Sequence, residues 1–344
     1  MHVRNYIESL REDLKTHLNR INMYTNNLGK RFVSDYSLPI QVLDREYFEY
    51  LIDLYEDIFE SKTKYNNLVS MIQTNFQSNP ELCLGEYSNI RDEIIFKTEQ
   101  NKAFIDFKDD KELVEKYTIY STISSNNIYN ETNVNKIFLS IDLKKANFQA
   151  LRFYNPEIVF DAKTYEDFIG HFTDLEYIKK SKFTRQVIFG KMNPKRTIIL
   201  EKYLMNNILT STNELIFKII NENEVVSFCT DEIILELKNY DINMDCELLC
   251  NKLKDTIKIY YGIDVDVEIF ILRGHKFKTH RNGNIMTYEK EFMIDKKSEL
   301  MCVPSIYFAQ IYKLLNGQAL NEKDLTFYYE HQLAHFNYPL TLEL

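Results

Sequence analysis

Residues 225–237 read VVSFCTDEIILEL. Two apolar runs, each short and rich in β-branched residues, flank Thr230-Asp231-Glu232. That pattern predicts two antiparallel strands joined by a tight turn, with adjacent acids at its tip. An earlier stretch, KIFLSID at 136–142, predicts a third strand that ends on Asp142. If these strands neighbour each other in one sheet, Asp142 and Asp231 meet at one sheet edge. Two carboxylates so placed can hold two divalent cations about 3.5–4 Å apart, the arrangement used for phosphoryl transfer. Mg²⁺ (or Mn²⁺) is the expected ion, because Mg²⁺ takes a few carboxylates plus substrate phosphate oxygens.

A basic stretch lies between the two acid sites. No acid occurs between Glu176 and Glu201, whereas Lys179, Lys180, Lys182, Arg185, Lys191, Lys195 and Arg196 all do. In a chain of net charge −9 this is a local inversion of sign. A helix over 181–190 places Lys182, Arg185, Gln186 and Phe189 on one face, which predicts cations for a triphosphate and a ring for a base.

Further out, helical spacing runs through 3–28 in alternating steps of four and three, and through Leu51 to Ile72. This predicts an antiparallel helical pair, with a coiled-coil dimer as the alternative. Residues 77–135 read as a mixed connecting subdomain with an Asn/Ser-rich loop at 124–133. Helices are expected at about 164–180, 181–190, 194–209, 245–260, 304–316 and 322–335. A strand is expected over 264–273, and a hairpin around Asn282-Gly283. The fold class is α+β: N-terminal helices, then a small antiparallel sheet with flanking helices. The domain division is 1–76, 77–135, 136–275 and 276–344, the last holding a hairpin and helices.

Composition sets the outer bounds. At 344 residues and 44% hydrophobic the chain can bury a large core, and 8 Gly with 6 Pro exclude collagen-like or Gly/Pro-rich disordered classes. Its five cysteines form no CxxC pair, which argues against a zinc ribbon and for reduced thiols. There is no P-loop motif, apolar leader or membrane-length apolar window, so a cytoplasmic setting, including an infected cell or virion, is expected. His331 and His335 have i, i+4 spacing but no third ligand, and read as helix-surface residues. Cys246 and Cys250 read as core thiols. Arg273, His275, Lys276, Lys278, His280 and Arg281 form a basic hairpin able to grip phosphates, or equally a charged sheet edge.

Together the motifs resemble the palm of nucleic-acid polymerases, nearest to family A DNA polymerases and single-subunit phage-type RNA polymerases. SIDLKKANFQALR (140–152) resembles motif A, RQVIFGKMNP (185–194) motif B, and FCTDEIILEL (228–237) motif C. The N-terminal helical pair resembles a thumb, and 164–209 an abbreviated fingers region. The motif B stretch also fits the family B pattern. The resemblance implies Asp142 and Asp231 as metal ligands, with Glu232 in support. It implies Lys182, Arg185 and Lys191 around the nucleotide, Phe189 and Gly190 under its base, and Asn147 and Arg152 nearby. Asn147 stands where the family has a sugar-discriminating Glu, so sugar preference stays open. Lys195, Arg196, Lys276, Lys278 and Arg281 are the expected nucleic-acid contacts. The implied activity is template-directed nucleotidyl transfer by a DNA or RNA polymerase. Its partners would be primer–template, nucleoside triphosphates and no membrane, with an accessory protein or second copy on the N-terminal helices. The alternative is a non-catalytic, palm-derived nucleic-acid-binding or assembly scaffold.

Overall fold

A strand buried on both faces must be apolar at nearly every position, and residues 137–143 (IFLSIDL) meet that requirement until the Asp. The computed structural model describes residues 23–42, 44–120, 123, 127–238, 245–280, 283–329 and 332–343. Strand β1 (Ile137–Leu143) is central in an antiparallel sheet with β2 (Glu224–Phe228), β3 (Glu232–Glu236), β4 (Val265–Lys278), β5 (Asn284–Phe292) and β6 (Ser298–Met301). Their order is β2-β3-β1-β4-β5-β6. The expected neighbours are therefore real neighbours: β1 pairs with β3 on one side and β4 on the other. Helices lie between β1 and β2, and one helix, Cys246–Tyr261, between β3 and β4. This is a split β-α-β connection, and the class is α+β as expected.

The two sheet faces have different roles. Leu139, Ile141 and Leu143 alternate onto one face with Ile233, Leu235, Val265, Val267 and Ile269. Leu204, Met205 and Ile208 of the Pro194–Leu209 helix cover them, as do Leu253 and Ile257 of the Cys246–Tyr261 helix. Cys246 and Cys250 are buried in this core, as expected. The opposite face carries Phe138, Ile234, Phe270, Leu272 and Tyr288. Gly274 lets β4 pass under Val134, where a Cβ would stand 2.7 Å from the valine Cγ2.

The chain divides into two units. The sheet just described belongs to residues 95–168, 189–303 and 341–344. The other unit gathers 1–94, 169–188 and 304–340, so part of the stretch read as fingers groups with the N-terminal helices. Its described helices include Asn26–Tyr36, Arg45–Leu54 and Ser61–Asn75. The Leu51–Ile72 pattern thus breaks at Tyr55 and Glu60, the latter in the left-handed region at φ 51°. The heptad positions before Met23 lie outside the described residues. Residues 80–117 are mostly helical, in Pro80–Gln100, Lys102–Asp109 and Leu113–Tyr117.

The helix expected at 322–335 is corrected. Asn321 caps a 3₁₀ turn, Glu322–Leu325, through a capping box with Asp324. The chain then forms a hairpin of β7 (Thr326–Tyr329) and β8 (Gln332–His335). Phe336 stacks on Phe327 at 4.1 Å and on Tyr307 at 4.5 Å. His335 therefore sits on a strand and not a helix face, and His331 lies outside the described residues. A short β9 (Thr341–Glu343) pairs with β4. Among the described residues no helix is long and apolar enough to cross a membrane.

Candidate active site

Antiparallel registration brings the acids together. Asp142 stands opposite Glu232 of β3 and opposite Asp266 of β4. Period-two alternation then puts Asp142, Glu232, Asp266 and Glu268 on the same face as Phe138, Ile234 and Phe270. Along that face an apolar half gives way to an acidic half. The turn before β3 is tight: the Cys229 N–H donates to the Glu232 carbonyl at 2.8 Å. The Leu143 N–H donates to the Asp231 carbonyl at 2.7 Å, which ties the turn to the end of β1. The Ser140 hydroxyl donates to Glu232 Oε1 at 2.7 Å and fixes that carboxylate.

The electrostatics are those of negative charge in excess. Burial, then the charges of Asp231, Glu232, Asp266 and Glu268, push the Asp142 carboxyl up to about 7. A further acid, Glu201 of the Pro194–Leu209 helix, is 4% exposed and is also pushed up to about 7, by burial and then by Asp231. The Asn147 amide donates to Glu201 Oε1 and acts in the opposite direction. Asp231 thus couples electrostatically to Asp142 on the strand and to Glu201 on the helix. No Lys, Arg or His among the described residues forms an ion pair with Asp142, Asp231, Glu232 or Glu201. Nearby lysines are engaged elsewhere, Lys144 with Asp266 at 3.0 Å and Lys145 with Glu166.

No family model matches this chain, and no curated protein matches it in sequence. The site is therefore judged on its own chemistry. Asp142 and Asp231 offer hard carboxylate oxygens with no ion-pair partner among the described residues, the donor type that Mg²⁺ or Mn²⁺ takes. Among the described residues no group of three or more His, Cys, Asp or Glu side chains forms a metal cage. Two carboxylates that leave the remaining positions to substrate oxygens need no such cage.

Glu201 was missed at the sequence level, though its signal was present. It falls on the buried stripe of its helix with Thr197, Leu204 and Ile208. A carboxylate on a core stripe is rare without a purpose or a partner.

The other expected residues divide between exposed and structural. In the Lys182–Lys191 helix, Lys182, Gly190 and Lys191 are exposed and Arg185 is half-buried. Phe189 is corrected: it is 3% exposed and stacks on Phe168 at 6.2 Å, so its ring belongs to the core and is not offered to a base. Arg196 is also corrected. Its guanidinium donates to the carbonyls of Phe107 at 3.1 Å and Asp110 at 2.6 Å, which locks the preceding helices to its own. Lys195 is exposed and Arg152 half-buried. Lys276 and Lys278 both pair with Glu343 of β9, at 3.2 and 2.9 Å. With Arg273 on Glu291 and His275 on Glu289, that hairpin is a charge-paired sheet region. Arg281 lies outside the described residues.

Proposed function

We propose that the chain is a metal-dependent nucleotidyltransferase that extends a nucleic-acid 3′ end, copying a template. The observation that carries this reading is the convergence of Asp142 and the Asp231-Glu232 turn at one end of a sheet, with no ion-pair partner among the described residues. Asp142 and Asp231 would hold Mg²⁺ or Mn²⁺, which supplies charge neutralisation for a triphosphate and a lowered pKa for the attacking hydroxyl. Glu232, held by Ser140, keeps the turn in place. Glu201, held by Asn147, feels Asp231 from the helix-covered face of the sheet. Lys191, exposed and in the same unit as these acids, is the cation offered to the triphosphate.

The test is primer extension on labelled DNA and RNA primers, with and without template, in Mg²⁺ or Mn²⁺, using each nucleotide pool. Extension by the wild type and its loss in both Asp142→Ala and Asp231→Ala supports the reading. Extension that survives both substitutions, or none under any condition, refutes it. The burial of Phe189 and the structural use of Arg196 favour a second reading, a nucleic-acid-binding scaffold without catalysis. Binding of primer–template that is indifferent to divalent cations and to both substitutions is its signature.

A further inference from the structure

Carboxylates crowd the point where β1 ends. Asp142 faces Glu232 on one neighbouring strand and Asp266 on the other. Like charges directly opposite each other destabilise a strand pair, and strand ends open more readily than strand centres. The register of β1 with β4 nonetheless continues to Leu143 opposite Val265. Beyond that pair the Lys144 N–H still donates to the Asp264 carbonyl at 3.0 Å.

A single side chain closes that end. Gln149, in the Ala146–Tyr154 helix, is 5% exposed. Its Oε1 accepts from the Asp264 N–H at 2.6 Å, and its Nε2 donates to the Asp264 carbonyl at 2.6 Å. The same Nε2 donates to the Lys144 carbonyl. The amide thus pairs with Asp264 as a further strand residue would, and both of its N–H groups and its carbonyl are used. Lys145 lies in the left-handed region at φ 52°, so the chain turns at once into the helix that returns Gln149 to the strand end. Lys144 follows Asp142 by two residues and Asp264 precedes Asp266 by two. The clamp therefore acts on these acids through their own backbone. At the same strand end the Leu143 N–H holds the Asp231 carbonyl at 2.7 Å.

We propose that Gln149 is a positioning residue, a buried amide clamp that holds the ends of β1 and β4 closed against the repulsion of Asp142, Glu232 and Asp266 and so presets Asp142 and Asp231 for a divalent cation. This rests on the reading of those two carboxylates as metal ligands. Groups that orient metal ligands from behind change metal affinity by about 10–100-fold when removed.

Two substitutions test the clamp. Gln149→Met keeps the length of the side chain and removes the amide. Gln149→Asn keeps an amide one methylene short of its partners, and stands in if the Met variant does not fold. Amide hydrogen exchange with and without Mn²⁺, Mn²⁺ affinity by electron paramagnetic resonance, and primer extension are measured on the full chain. Without Mn²⁺, exchange at residues 143, 144 and 264 is expected to quicken about tenfold, with 138–141 unchanged. The Mn²⁺ Kd is expected to rise at least about tenfold. Saturating Mn²⁺ should restore the lost protection, because the cation opposes the same repulsion as the clamp. Unchanged exchange at 143, 144 and 264 in a folded variant overturns the clamp. Protection lost along the whole of β1, not restored by Mn²⁺, or lost with an unchanged Kd overturns the positioning role and leaves a structural contact. A wild type that binds Mn²⁺ through Asp142 and Asp231 but extends no primer sinks the polymerase reading alone. One that binds no Mn²⁺, or binds it equally after Asp142→Ala, overturns the positioning role.

Discussion

Asp142 and Glu201 carry the sharpest consequence at the scale of single residues. A carboxyl whose native pKa lies above its unfolded one favours the fold while protonated. That contribution is complete below the unfolded value of about 4 and is lost as pH rises through the native value. Both groups are pushed up to about 7, so without divalent cations the chain should lose stability between about pH 4 and 7.5. Because both feel Asp231, the loss belongs to the group of carboxylates and not to either one. Asp142→Asn is expected to raise stability at pH 8 by about 1–2 kcal/mol, allowing for the solvent that reaches a half-buried carboxylate, and to match wild type near pH 4. Denaturant unfolding at the two pH values measures this, and an Asn variant less stable than wild type at pH 8 contradicts it. The same substitution should lower primer extension by at least about a hundredfold, so stability and activity move in opposite directions.

At the scale of elements, the sequence was most legible where a period and a stop signal coincided. VVSFCTDEIILEL became β2, a turn and β3 because β-branched runs flank a polar tip. KIFLSID became β1 because a short apolar run closes on a polar residue, Asp142. Residues 322–335 misled because Tyr328, Leu333 and the two histidines imitate a helical face. The competing force was local: the Asn321–Asp324 capping box closes a single turn, after which strand pairing takes over. Asp324 itself is 1% exposed, accepts from Lys313 Nζ at 2.8 Å and from the Tyr50 hydroxyl, and completes that box. Asp324→Ala should therefore cost about 3–5 kcal/mol, the usual result of leaving a buried lysine without its partner. Thermal unfolding and loss of the 326–335 hairpin by exchange read this out. A change within about 0.5 kcal/mol would show that Lys313 finds water or another acceptor. Phe189 and Arg196 were misread for a related reason. A basic or aromatic residue at a surface-like spacing does not reveal whether its tip is already bonded, and these two are engaged by Phe168 and by the carbonyls of Phe107 and Asp110.

On the scale of the whole molecule, net charge −9 opposes the approach of a polyanion, so the proposed nucleic-acid binding would have to draw on local clusters of cations. Of the seven bases between Glu176 and Glu201, Lys179 is paired with Glu176 at 2.9 Å, Arg196 is held by carbonyls and Arg185 is half-buried. Lys180, Lys182, Lys191 and Lys195 remain exposed. Lys276 and Lys278 share the single carboxylate of Glu343. The sequence showed the inversion of sign but not this attrition, because pairing depends on which strands and helix ends come together. It also did not show that 169–188 belongs with the N-terminal helices, since apolar periodicity reports local faces and not the grouping of distant segments. If primer–template is held by these four lysines, log K should fall with log[salt] at a slope of about −4. Replacing Lys182 and Lys191 together by Gln should flatten that slope by about 2, whereas Arg196→Gln should lower thermal stability and leave the slope alone. Fluorescence anisotropy across a salt series measures both. A wild-type slope near −8 would mean that the charge-paired hairpin on β4 opens its lysines to phosphate, and a slope near zero would remove the nucleic-acid partner altogether.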